Sequence, residues 1–253
     1  MSNVAVERAL VLLKYIMDEE EGLSIREASR DLGYNPATVQ KIVNAMNSQG
    51  FVVQDETTNR YHLGPEAIQL GLIALNRLYV HQIAKPHLRA LSKETGETVF
   101  LAIARGKYAV YIDKVVSSQP IRMDAPLGED RPFNCTAIGK VLLSGMKDEK
   151  IERLAKDGVF EKRTENSIYD SDSLKEEIAL VRKQGWAKDN EEFSNGVICL
   201  AYPIFNHEMK IIAAITVSGP KERILQNEDE IFEKVSKTSG KISTELGNKK
   251  SAK

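Results

Sequence analysis

Ala37, Gln40, Lys41, Asn44 and Ser48 recur at intervals of three and four residues. That spacing places side chains on one face of a helix. The face is short, polar and free of acids, and Thr38 lies beside it. Lys reaches phosphate oxygens or guanine, Gln and Asn pair with adenine edges, and Ala leaves room for a thymine methyl. These residue types point to hydrogen bonding in a DNA groove. An ordinary solvated helix can look similar, so the reading depends on the surrounding elements.

Those elements are legible from local chemistry. Ser24 and Glu27 form a capping box at the start of a short helix, and Gly33 is its left-handed terminator. Ile25, Ala28 and Leu32 fall on one face of that helix. Asn35 is an N-cap, and Pro36 suits the first helical turn, where its missing N–H costs nothing. The next helix runs to about Ser48 and Gly50 ends it. Val39, Ile42, Val43 and Met46 form its packing face. Phe51–Gln54 and Arg60–Leu63 then alternate around a polar turn, which predicts a two-stranded wing. Two short helices and a wing make a winged helix-turn-helix, a shape that sets its second helix in the major groove. Arg60, in the wing, is expected to support the DNA backbone.

The local charge opposes simple electrostatic attraction. Residues 1–70 hold six Lys+Arg against ten Asp+Glu, net −4. Much of the acid sits in Asp18–Glu21, away from the polar face. Weak non-specific binding and a need for two or more copies at an operator follow.

At 253 residues and net charge −1, the chain accommodates two domains and has no global attraction to nucleic acid or anionic membrane. No apolar run approaches the roughly 18 residues of a membrane span, and the start lacks the pattern of a signal peptide. A cytoplasmic protein is expected. Cys135 and Cys199 lie far apart with no CxxC, which argues against a disulfide framework or zinc finger.

The remaining pattern is mixed. Val4–Met17 reads as a helix with Val6, Leu10, Leu13 and Met17 on its buried face. Glu66–Val80 is strongly helical, with Ile68, Leu72, Leu75 and Tyr79 in a stripe and Leu70, Ile73 and Leu78 on neighbouring faces. That is more apolar surface than a free linker carries, so a linker helix paired with a second subunit is expected. Pro86 predicts a new helix from His87 to Thr95. Strands are expected at Thr98–Ala104, Tyr108–Val116, Val197–Phe205 and Lys210–Ser218. Helices are expected at Thr136–Met146, Asp148–Lys156, Ser173–Gln184 and Asn227–Leu246. The layout is α+β, of a sensor type.

In this order the residues resemble the IclR family of transcriptional regulators. The matching text is VERALVLLKYI, LSIREASRDLG, NPATVQKIVNAMNSQGFV and YHLG, then NCTAIGKVLLSGM, GWAKDNEEFSNGVICLAYPIF and IIAAITVSGP. The resemblance spans essentially the whole chain. It implies a winged helix-turn-helix at 1–65, a linker helix at 66–82, a GAF-like α/β effector-binding domain at 83–247 and a basic tail at 248–253. It also implies a homodimer or dimer of dimers. DNA contacts are expected from Ala37, Thr38, Gln40, Lys41, Asn44 and Arg60.

The family's ligand pocket lies between the sheet and the loop entering the GK helix. Mapped by motif, the resemblance implies that Asn134, Ala137, Ile138, Gly139, Asp189, Cys199, Thr216 and Ser218 bind the effector. A helix start at Ala137–Gly139 suits a carboxylate, and Asp189 suits hydroxyls at the other end. A small hydroxy, sugar or aromatic acid is the implied effector, and a catabolic operon the implied target. The chain departs from the family at Lys41, where Arg is usual, and at Ala37, where Ser is frequent. It also departs at Asn134, where His is usual, with Cys135 beside it. Lys lacks the planar fork of Arg, so Lys41 suits phosphate as well as base.

Competing readings find less support. Cys135 or Cys199 with His62, His81, His87 or His207 would be needed for nucleophilic catalysis, and no local signature joins them. Asp189, Glu191 and Glu192 read as a solvated acidic turn rather than a metal site. No catalytic residue, metal or cofactor is expected. An enzyme with a helical oligomerisation module, and a sensor whose winged helix binds protein, are the alternatives.

Overall fold

A computed structural model describes residues 4–248. The chain divides into two compact units, one ending at Arg77 and the other beginning at Leu78. The expected basic tail, Asn248 apart, lies outside the described residues.

The first unit contains α1 (Val4–Asp18), α2 (Ile25–Leu32), α3 (Pro36–Ser48), β1 (Val52–Gln54), β2 (Tyr61–Leu63) and α4 (Pro65–Arg77). Local chemistry accounts for its boundaries. Ser24 Oγ accepts from Glu27 N–H, Gly33 closes α2 at φ 66°, and Asn35 accepts from Ala37 N–H at the start of α3. Val52 pairs with Leu63 and Gln54 with Tyr61. Leu12, Leu23, Ala28, Val39, Val43 and Val52 are fully buried together.

The buried face of α1 is displaced from the expected one. Leu12 and Ile16 are buried, with Ala9 and Leu13 beside them, whereas Val6, Leu10 and Met17 are each more than half exposed. Two neighbouring stripes of this helix satisfy helical periodicity. Packing against α3 selects between them, a tertiary choice that periodicity does not encode.

The second unit is a six-stranded sheet in the order β5-β4-β3-β8-β7-β6, covered by helices on both faces. Its strands are β3 (Thr98–Arg105), β4 (Tyr108–Val115), β5 (Asp130–Arg131), β6 (Ala187–Asn190), β7 (Val197–Phe205) and β8 (Ile211–Pro220). Every pairing is antiparallel. On one face lie α5 (Tyr79–Thr95), α9 (Lys221–Gln226) and α10 (Glu228–Glu245). On the other lie α6 (Ala137–Ser144), α7 (Asp148–Lys156) and α8 (Ser171–Gln184). The α+β sensor layout holds.

Two differences from sequence matter. Pro86 does not start a helix but lies inside α5. It removes one backbone donor, yet Val80, Ala84, Leu88 and Leu91 form a buried row that runs straight past it. Burial of that row outweighs the lost bond. The expected Glu66–Val80 helix breaks at Leu78, so α4 and α5 are separate.

Candidate DNA-reading face and effector cavity

Helix α3 presents Ala37, Lys41 and Asn44 to solvent, with Thr38 and Gln40 half-buried. Gln40 Nε2 donates to Asn44 Oδ1 at 2.8 Å and lies 3.3 Å from the Tyr61 hydroxyl. The two amides thus orient each other, and the wing steadies Gln40. Lys41 forms no salt bridge among the described residues. The face can read base edges and phosphates as its residue types predict.

Arg60 does not join that face. Its guanidinium grips Glu27 with two 3.0 Å hydrogen bonds and donates to the Gly22 carbonyl at 2.8 Å. Glu21 lies 3.9 Å away. The carboxylate takes the Nη1–Nη2 edge of the guanidinium. These contacts tie the wing to the start of α2 beside the acidic loop.

In the second unit a cavity of ≈ 240 Å³ lies between the sheet and the first turn of α6. That is below the roughly 300–1,000 Å³ of drug-sized sites and suits a small molecule. Strand register builds its polar floor. Thr98 pairs with Ser218, Ser218 with Cys199, and Cys199 with Asp189, one residue from each of four adjacent strands. Ser218, Cys199, Asp189 and Thr216 line the cavity, as do Ala137 and Ile138. Thr216 Oγ1 donates to the Leu200 carbonyl at 2.9 Å. Ser218 Oγ is buried with no oxygen or nitrogen partner of its own among the described residues.

The first turn of α6 is built by its cap. Thr136 Oγ1 accepts from Gly139 N–H at 3.1 Å and donates to the Pro132 carbonyl at 2.7 Å. Ala137 and Ile138, in this first turn, line the cavity, and first-turn N–H groups have no partner within a helix. Gly139 is not among the lining residues, and its N–H bonds to Thr136. A Cβ at Gly139 would lie 2.5 Å from the Phe133 carbonyl oxygen, so close backbone packing requires the glycine. Asn134 is also not among the lining residues. It donates to the Glu161 and Ile168 carbonyls and accepts from Glu161 N–H, at 2.7–3.1 Å. Its amide is consumed in bracing the 161–168 loop.

Asp189 is 2 % exposed and accepts from Glu192 and Phe193 N–H. Burial, reinforced by the Glu192 carboxylate, pushes its pKa up to about 7. Behind it Lys140 is buried between Glu192 at 2.6 Å and Glu177 at 2.8 Å. Burial alone would lower the Lys140 pKa, but the two carboxylates outweigh it and hold the ammonium charged. Glu191 pairs with Lys221 instead, so the acidic turn spends its charges on separate lysines. Burial also pushes the Cys135 thiol up to about 12, and burial together with Asp189 raises Cys199 well above its usual range. Neither thiol is an activated nucleophile.

Motif mapping missed Phe100, Tyr111, Arg131 and Phe193 in the lining. Phe100 and Tyr111 stack at 4.4 Å. The Arg131 guanidinium lies 5.5 Å from the Tyr111 ring centre and 5.2 Å from that of Phe193. Arg131 belongs to a two-residue strand with no periodicity to announce it. Its one sequence signal is an isolated base just ahead of the PFNCTAIGK motif.

A winged helix with a polar reading face, joined to an α+β unit whose cavity has polar residues on its sheet side, defines a DNA-binding regulator that responds to a small molecule. Comparison with known proteins makes the assignment specific. The profile described as "IclR helix-turn-helix domain" matches residues 5–56, and "Bacterial transcriptional regulator IclR C-terminal" matches residues 72–244. The chain belongs to the IclR family of bacterial transcriptional regulators. It is similar to the HTH-type transcriptional regulator XynR of Escherichia coli, with 30% identity over 220 residues and 87% of each chain covered. It is also similar to the crystal structure of the Thermotoga maritima IclR (30% identity, TM-score 0.74, 96% and 98% covered). An IclR homologue from Microbacterium hydrocarbonoxydans, complexed with 4-hydroxybenzoate, shares the fold at 18% identity (TM-score 0.84, 96% and 98% covered). The relatives are named as regulators, and the chain is a transcription regulator rather than an enzyme. Among the described residues, no helix is long and apolar enough to cross a membrane.

Proposed function

We propose that this regulator controls a catabolic operon near its own gene and responds to a small organic acid bearing a hydroxyl or polar ring substituent. The observation carrying this reading is the cavity with α6 first-turn donors on one side and Asp189 on another. Donors at a helix N-terminus favour a carboxylate, whereas Asp189 accepts from a hydroxyl and, once ionised, repels a carboxylate. The two ligand groups therefore face different parts of the cavity. The 4-hydroxybenzoate bound by the Microbacterium homologue has both groups. On the DNA side, Ala37, Thr38, Gln40, Lys41 and Asn44 contact an operator. Two or four copies do so together, because net −4 over residues 1–70 gives one head little affinity of its own. The exposed apolar residues of α4 supply the subunit contact.

Thermal-shift screening against hydroxy, sugar and aromatic acids tests the effector reading. A cognate acid at a hundred times its Kd adds about 2.7 kcal/mol of stability and raises Tm. The same acid is expected to leave the Tm of Asp189→Ala nearly unmoved. An equal rise in both proteins would place the ligand elsewhere.

A further inference from the structure

We propose that Arg131 is the anchor for the effector's carboxylate, closing the cavity as a guanidinium held between two aromatic rings. The proposal rests on the cavity being the effector site and adds a charged fork to the α6 first-turn donors that receive the same carboxylate.

Charge distribution is the first argument. Among the lining residues Arg131 carries the one positive side chain. Asp124, also in the lining, is already paired with Lys114, and Asp189 at another wall has Glu192 behind it. A carboxylate placed toward Asp189 meets like charge once Asp189 ionises, whereas one placed at Arg131 meets a fork of matching geometry at any pH.

The second argument is the state of the fork. The Arg131 side chain is only 11% exposed. Nη2 pairs with the half-exposed Glu129 at 2.7 Å, but Nε is buried with no hydrogen-bond partner among the described residues. A buried, unpaired donor on a charged group is costly to leave unmade. Nε and Nη2 share the side-on edge that a carboxylate grips. An incoming acid satisfies Nε and either shares Nη2 with Glu129 or releases that carboxylate to solvent.

The third argument is topological. Arg131 lies on β5 and Phe193 follows β6, the two opposite edge strands of the sheet. Five strand spacings would separate such edges by about 24 Å in a flat sheet, far beyond the reach of an arginine. Yet the guanidinium sits 5.2 Å from the Phe193 ring centre. The sheet curls and the segment after β6 folds back over its face, so that Arg131 on Phe193 bridges the two edges. Arg163 lies 4.7 Å from the ring centre of Phe193 as well, so two cations meet that ring. The anchor is thus held in place before the acid arrives.

The test is calorimetric titration of the full-length protein with 4-hydroxybenzoate, lactate and gluconate, each beside its neutral amide. The proposal predicts that an acid which binds does so more tightly than its amide. Arg131→Gln then weakens the acid by about 10- to 100-fold and leaves the amide unchanged. Arg131→Lys recovers only part of the loss, because it keeps the charge but not the fork. Thermal melts of the ligand-free variants check that the fold persists. Wild-type acid affinity in Arg131→Gln would overturn the anchor while leaving the cavity reading intact, provided that Asp189→Ala still weakens binding. Equal binding of acid and amide to the wild type also overturns the anchor but keeps the cavity. Failure of all three acids to bind would reject both readings.

Discussion

Burial decides the protonation of Asp189, and with it a pH dependence. The carboxyl holds its proton to about pH 7 in the folded chain, against an ordinary value of 3.8. A group with a raised folded pKa stabilises fully below its unfolded pKa, and that contribution is lost as pH rises through the folded one. Asp189→Asn keeps an acceptor for the Glu192 and Phe193 N–H groups but has no proton to lose. The wild type should therefore lose Tm relative to Asp189→Asn between pH 5 and pH 8. Parallel melting curves across that range would remove burial as the controlling force. Acid binding should weaken over the same window, because ionised Asp189 adds a second negative charge to the cavity. At the DNA face, Gln40 and Asn44 hold each other at 2.8 Å. Replacing either with Ala should cost about 1–3 kcal/mol of operator affinity for each good base contact, measured by fluorescence anisotropy. Unchanged affinity in both would move base reading off this face.

Elements were legible where their signals were local. The caps of α2 and α3 and the wing turn are chemistry between residues a few positions apart, and the sequence reveals them. Strand β6 was not legible. Its four residues, Ala187–Asn190, include three polar ones and read as a loop. The strand exists because it pairs with β7, a long-range event. Asp189 was found through the family resemblance, and its address on a strand came only from the fold. Asn134 braces the 161–168 loop and Gly139 allows close backbone packing, roles that a motif does not distinguish from ligand contact. The tie of Arg60 to Glu27 was likewise not legible, since the two lie on different elements. Helix α4 supplies its own prediction. Ile68, Leu70, Leu72 and Ile73 are each at least 42% exposed, a patch that suits an interface. Leu72→Glu with Leu75→Glu should give monomers in light scattering. A double mutant of unchanged mass would place the subunit contact on another element.

At the scale of the whole molecule, the central claim is that ligand occupancy in the second unit changes DNA affinity in the first. Such coupling requires the acid to favour one of two arrangements of the chain, and its size is bounded by that differential affinity. The break at Leu78, where α4 ends and α5 begins, is where the two units are joined. Substitutions in the cavity should then silence the response without touching DNA recognition, because the reading face and the cavity belong to separate units. The most direct measurement takes DNA that the full-length protein itself enriches from a random pool. Its affinity is followed by anisotropy as the acid identified by thermal shift is titrated in. The account predicts that the acid shifts DNA affinity for the wild type. For Asp189→Ala it predicts the same DNA affinity without acid and no shift with it. An undiminished shift in Asp189→Ala, or failure to enrich any DNA sequence, would contradict it.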